Sequence, residues 1–106
     1  MRLRECDPAG LTSLLHEAAE VLVHFGTDWC PPCKRLERVL LTLLEEGLHG
    51  LSIVKVNVED HPELARAHSV AKNPTLCFFN GVSLIAKREG FANASEILRL
   101  VGRDTD

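Results

Sequence analysis

No apolar stretch among the 106 residues reaches the roughly 20 that a membrane-spanning helix needs. The N-terminus, Met1-Arg2-Leu3-Arg4-Glu5-Cys6, turns polar where a secretory signal would turn hydrophobic. Both absences lead to the expectation of a cytoplasmic protein with no membrane attachment. A basic stripe is missing as well: 12 Lys and Arg against 15 Asp and Glu leave a net charge of -3, spread along the chain. That balance points away from nucleic acid and from anionic lipid, so partners are expected to meet a local groove rather than a charged field. Cysteine is sparse. Cys6, Cys30, Cys33 and Cys77 are too few and too unevenly spaced for a secreted disulfide scaffold, whereas in a reducing compartment one close pair is more naturally catalytic. Repeats, low-complexity tracts and long linkers are also absent. A chain of this length is expected to form one domain over residues 1–106 and to bury roughly two-thirds of its unfolded surface without disulfide staples.

Apolar periodicity divides the chain into alternating elements. Asp7-Pro8 can start a helix, and Leu11, Leu14, Leu15, Ala18 and Ala19 then share one face, predicting a helix to about Glu20. Val21 to Phe25 follows as a strand whose near-continuous apolar character suits a central place covered on both faces. From Pro32 the stripe Leu36, Val39, Leu40, Leu43, Leu44 marks a second helix, closed by Gly47 and Gly50. Leu51 to Val58 reads as a buried strand, and Asp60-His61-Pro62 opens a short helix carrying Leu64, Ala65 and Val70 toward the core. Pro74 to Phe79 is a third strand, and Asn80-Gly81 is a hairpin signal leading into Val82 to Lys87 as its antiparallel partner. Asn93-Ala94-Ser95-Glu96 has the form of a capping box before a last helix, Ile97 to Val101. A βαβ unit followed by a ββα unit implies an α/β fold. Its mixed sheet has four strands, or five if Arg2 to Glu5 adds an edge, with helices on both faces.

The chemistry is concentrated in Trp29-Cys30-Pro31-Pro32-Cys33, which puts two thiols one helical turn apart directly after the first strand. A helix N-terminus favours a thiolate through its unpaired N–H groups and the positive end of its dipole, so the pair suits reversible disulfide chemistry. Cys30 comes first, at the exposed mouth of the helix, where its sulfur can accept the N–H of Cys33 as an N-cap oxygen would; it is read as the nucleophile. Cys33, one turn in and more buried, is read as the resolving thiol. Pro31 and Pro32 have no N–H to offer the thiolate and stiffen the loop. The competing assignment is a structural zinc site made by all four cysteines. Against it, there is no second CxxC, and Cys6 and Cys77 fall in an N-terminal strand and a buried strand. Those two are read as packing thiols. His16, His49, His61 and His68 lack metal-ligand spacing, and neither a metal nor a cofactor is expected.

Three segments in order, the strand with Trp29-Cys30-Pro31-Pro32-Cys33, then Lys55-Val56-Asn57-Val58, then Pro74-Thr75 with its apolar strand and Asn80-Gly81, resemble the thioredoxin family over almost the whole chain. The resemblance implies a thioredoxin-like fold and dithiol-disulfide exchange with disulfide-containing client proteins. Re-reduction would come from a flavoprotein thioredoxin reductase or another dithiol donor. It further implies that Trp29 borders the site and that Pro74 is a cis-proline facing the disulfide. The residue before that proline, Asn73, would then offer backbone hydrogen bonds to an extended client. Trp29, Pro31, Asn73 and Pro74 are therefore the expected client contacts, and the protein is expected to act as a monomer.

Several residues depart from the family's pattern. Lys72-Asn73 stands where Gly and an aliphatic residue are usual, which bears on client preference. His24 replaces a buried Asp that helps to deprotonate the resolving thiol; a histidine titrating near neutrality can serve as that base, or can be a neutral core residue. Lys55 matches the lysine that pairs with that Asp, and so loses its evident partner. Asp28 is read as a solvated loop acid, while Lys34 and Arg35 either solvate the helix exterior or steer a thiolate or an acidic client. The absence of a histidine between the cysteines favours the reducing members, while the Pro-Pro dipeptide and His24 leave the oxidising ones open. A disulfide oxidase or isomerase, and a docking adaptor without turnover, stay open as alternatives.

Overall fold

The computed structural model describes residues 2–104. Its elements run β1 (Arg4–Glu5), α1 (Pro8–Glu17), β2 (Glu20–Gly26), α2 (Pro31–Glu45), β3 (Ser52–Asn57), α3 (Pro62–Ala67), β4 (Thr75–Asn80), β5 (Ser83–Glu89) and α4 (Ala94–Leu100). The strands form one mixed sheet in the order β1-β3-β2-β4-β5. β1 and β2 run parallel to β3, whereas β4 is antiparallel to both β2 and β5. This is the five-stranded form of the expected sheet, with the N-terminal edge shortened to two residues.

Alternation along β2 divides the core between the two faces. Val21, Val23 and Phe25 join Leu11 and Leu15 of α1, while Leu22 joins Leu36, Leu40 and Leu43 of α2 and Ile97 of α4. A strand covered on both sides has no solvent face to keep polar, which is why its sequence reads as a near-continuous apolar run. Cys6 and Cys77 belong to the α1-side core, as packing thiols should, and burial pushes the Cys77 thiol up to about 11.

Local chemistry sets the element ends. Asp7 Oδ1 accepts the Gly10 N–H at 2.7 Å, and Pro8 occupies the first turn of α1, where no donor is missed. The helix stops at Glu17 rather than at Glu20. Ala18 turns extended, and Glu20 pairs with Asn80 as the first residue of β2, so the ladder claims residues the apolar stripe had assigned to the helix. The hairpin turn also shifts by one. Asn80 stays in the ladder opposite Ser83, so the turn is Gly81-Val82, with Gly81 at the positive φ of 60° that glycine accepts readily. At α4 the expected capping box is present, Asn93 Oδ1 accepting the Glu96 N–H at 2.9 Å and Glu96 Oε1 accepting the Asn93 N–H at 3.0 Å.

His24 interrupts the apolar run of β2. It lies between Lys55 of β3 and Leu76 of β4, fully buried, and neither ring nitrogen has a hydrogen-bond partner among the described residues. Burial, then the Lys55 charge, lower its pKa from 6.5 to about 4, against the opposing pull of Glu37. The ring is therefore neutral at pH 7 and does not titrate near neutrality.

This burial ties folding to pH. The unfolded chain takes up a proton at His24 below about 6.5 and the folded protein does so only near 4, so the contribution of this group is fully present above pH 6.5 and is lost as pH falls through that window. The loss from this group is about 3 kcal/mol. Urea midpoints at pH 7, 5.5 and 4.5 should fall more steeply for the wild type than for His24→Leu; parallel curves would show that the imidazole does not contribute.

Candidate active site

β2 ends beneath the first turn of α2, and the loop Thr27–Trp29 between them carries the chain to the cysteines. Cys30 is the N-cap of α2, with extended backbone angles, and its Sγ accepts the Cys33 N–H at 3.4 Å. This is the cap expected from the CxxC spacing. Pro31 and Pro32 occupy positions whose N–H groups would have had no helical partner, so their cost to the helix is small. Across the site, the Cys30 thiol faces the Asn73 carbonyl oxygen at 4.0 Å, and the Asn73–Pro74 bond is cis.

Cys30 is more enclosed than a residue at an exposed helix mouth was expected to be: it is 6% exposed and Cys33 1%. Their order agrees with the sequence reading, with the first thiol outside and the second beneath it. Burial, and then the hydrogen bond with Cys30, push the Cys33 thiol up to about 11, although the Thr27 backbone N–H draws it down. Cys33 is thus a neutral thiol at pH 7.

Gly26 gives the two layers room to meet. A Cβ at this position would lie 2.9 Å from His24 Nε2 and 3.0 Å from Cys33 Sγ, closer than real Cβ contacts allow. His24 and Cys33 therefore border the same small space at the end of β2, and any side chain there would push them away.

Lys55, almost fully buried, finds its partners outside β2. Its Nζ donates to Asp28 Oδ1 at 2.6 Å and lies 3.5 Å from Glu37 Oε1. Burial alone would draw its pKa down, but the Asp28 bond and the Glu37 charge hold it above the ordinary lysine value. Asp28 is accordingly not a free loop acid: the Lys55 hydrogen bond and charge keep its carboxyl below the usual range. Glu37 Oε2 also accepts the Leu3 N–H at 3.0 Å, and Arg2 lies 3.4 Å from Asp28. The two acids thus connect the buried lysine to the N-terminal arm.

Trp29 is 65% exposed, and its indole N–H donates to Glu59 Oε1 at 2.8 Å, so the ring is held at the surface rather than packed in the core. Pro31 and Asn73 are exposed, and Pro74, the residue before β4, is buried. Three further residues were not singled out in the sequence. Gly26 closes an apolar strand, a position where glycine marks close backbone approach. Glu37 is four residues after Cys33 on the same helix, hence on the same face. Phe91 carries no local signal; its neighbour Gly90 is tied to Pro74 by an N–H bond to the Pro74 carbonyl at 2.8 Å, and Arg35 of α2 lies over its ring. Among the described residues, no group of three or more His, Cys, Asp or Glu is arranged to hold a metal ion.

Comparison with known proteins agrees with this geometry. The family model described as Thioredoxin matches residues 9–103. A thioredoxin of Chlamydia caviae is 35% identical over 83 residues, 78% of this chain and 80% of that one. A bifunctional thioredoxin reductase/thioredoxin of Mycobacterium leprae is 31% identical over 93 residues, 88% of this chain and 20% of that protein. The structure of a mutant thioredoxin from Halobacterium salinarum superposes with a TM-score of 0.86 at 28% identity, covering 98% of this chain and 90% of that one. A sulfur-capped helix beside a cis-proline, on this sheet and with these relatives, makes the chain a member of the thioredoxin family and a thiol-disulfide oxidoreductase.

Proposed function

We propose that this protein reduces disulfides in client proteins, with Cys30 as nucleophile, Cys33 as resolving thiol and His24 as the group that takes the resolving proton. The observation that carries the reading is the position of Cys30 Sγ, capping α2 through the Cys33 N–H with the Asn73 carbonyl opposite. An extended client laid along Trp29, Pro31, Asn73 and Pro74 would present its disulfide to that sulfur. The Cys30 thiolate attacks one client sulfur, forming a mixed disulfide and releasing the other as a thiolate that takes a proton from water. Cys33 then gives up its proton and attacks Cys30. The internal disulfide closes, and the second client sulfur leaves and is protonated, so that two electrons and two protons have passed to the client.

His24 bears on the second step. A thiol of pKa about 11 is ionised at pH 7 only to about one part in 10,000, so Cys33 needs an acceptor for its proton as it attacks. An imidazole buried at a pKa of about 4 is a weak base taken alone. Transfer across the Gly26 space, however, creates a thiolate and an imidazolium together, and their attraction in a low-dielectric interior offsets the burial penalty each would meet singly. Glu37 favours the charged imidazole and Lys55 opposes it.

The oxidised pair would be re-reduced by a thioredoxin reductase or another dithiol donor. The mycobacterial relative whose name joins a reductase and a thioredoxin supports the first. We place the protein in the cytoplasm as a monomer of one domain. Among the described residues no helix is long and apolar enough to cross a membrane.

With a disulfide-linked peptide, Cys33→Ser should accumulate a covalent adduct on Cys30, seen as a peptide-sized mass increase removed by reductant, and Cys30→Ser should form none. An adduct on Cys33 instead would reverse the roles. His24→Asn, polar but unable to take the proton, should slow release from the mixed disulfide by roughly ten-fold at pH 7, and His24→Asp should recover most of the rate. Equal rates for Asn and His would remove His24 from the mechanism. Equilibration with glutathione should give a reduction potential below about -200 mV; a value well above it would make the protein an oxidase or isomerase.

A further inference from the structure

Phe91 is one of the large apolar side chains left at the surface, 36% exposed, and two hydrogen bonds hold its loop, with an ion pair joining the elements on either side. Gly90 bonds to the Pro74 carbonyl, Arg88 Nη2 donates to the Phe91 carbonyl at 3.0 Å, and Arg88 Nη1 reaches Glu96 Oε2 at 2.8 Å. Above the ring lies the Arg35 guanidinium, its Cζ 5.8 Å from the ring centroid. Arg35 is on α2, five residues after Cys30, so this cation and ring stand on the side of the thiols toward the β5–α4 loop.

The charge on Arg35 is uncommitted: it makes no ion pair among the described residues. The acids nearest the motif are already engaged, Asp28 with Lys55 and Arg2, and Glu59 with the Trp29 indole. A guanidinium held over an aromatic face keeps its outer N–H groups free in a fixed fork, the arrangement that binds a carboxylate with two parallel hydrogen bonds and little loss of side-chain freedom.

We infer that Arg35 and Phe91 select the client, favouring extended segments that carry Asp or Glu beside the disulfide cysteine, with the carboxylate on the guanidinium edge and the neighbouring chain on the Phe91 ring. This specificity rests on the reductase reading above and names the chemistry of its substrate.

The test uses pre-reduced protein in single turnover against peptide disulfides that differ only in Glu, Gln or Lys flanking the cysteine. Each rate is referred to that for a small neutral disulfide. The wild type should reduce the Glu peptide about five- to ten-fold faster than the Lys peptide at roughly 20 mM salt, and the ratio should shrink at roughly 300 mM. Arg35→Gln should bring the ratio near one, Arg35→Glu should invert it, and Phe91→Ala should slow all the peptides together. Arg99→Gln, the same charge change on α4, should keep the wild-type ratio. Equal rates for Glu and Lys peptides with the wild type, or an undiminished ratio in Arg35→Gln, would overturn the inference. No reduction of the small disulfide either would overturn the reductase reading, and the selectivity with it.

Discussion

The last residue of β2 has no side chain, and a sulfur and an imidazole share the space this leaves. The sheet brings His24 to that point from within the strand, and α2 brings Cys33 from above. Neither could approach if the strand ended in a residue with a Cβ, because close-packed interiors have no slack of that size. The capping of α2 by Cys30 depends on the same approach, since the helix must begin where β2 ends for its first N–H groups to meet the outer sulfur. Reactivity at the surface thus follows from packing at the centre of the sheet.

Charge is arranged around that contact in an unusual way. An acid buried beside the resolving thiol would hold negative charge within the sheet, whereas His24 is neutral there. Lys55, the one buried Lys or Arg among the described residues, is balanced from the periphery by Asp28 and Glu37. Among the described residues the sheet interior therefore contains no buried carboxylate next to the sulfurs. At pH 7 the neutral imidazole is favoured unless a partner charge appears as it takes a proton, and this links proton movement to sulfur chemistry.

Residues whose roles are local were legible in the sequence. The CxxC spacing gave the Cys30 cap, Asn93 and Glu96 gave the box that starts α4, and the apolar run gave the central strand. Resemblance, rather than any local signal, gave the cis bond at Pro74. The end of α1 and the hairpin turn were displaced because Glu20 and Asn80 belong to the same ladder, and pairing between strands 60 residues apart leaves no periodic trace. The partners of Lys55 were not legible for a similar reason. They come from a loop and from a helix face that meet only when α2 lies on the sheet, although the four-residue step from Cys33 to Glu37 already placed that acid on the inward face. Phe91 was the least accessible, since its place is set by a bond between two loops.

The amino-terminal arm is clasped at Arg2 and Leu3 by the two carboxylates that hold Lys55. Force applied to that arm would load Asp28, two residues before Cys30, and Glu37, four residues after Cys33. The opposite terminus is safer to hold: Arg103 is pinned to Glu20 at the far end of β2, a whole strand's length from the sulfurs. A sensor or resin that immobilises this protein should therefore grip it by its carboxyl end, leaving the arm at the other end unloaded.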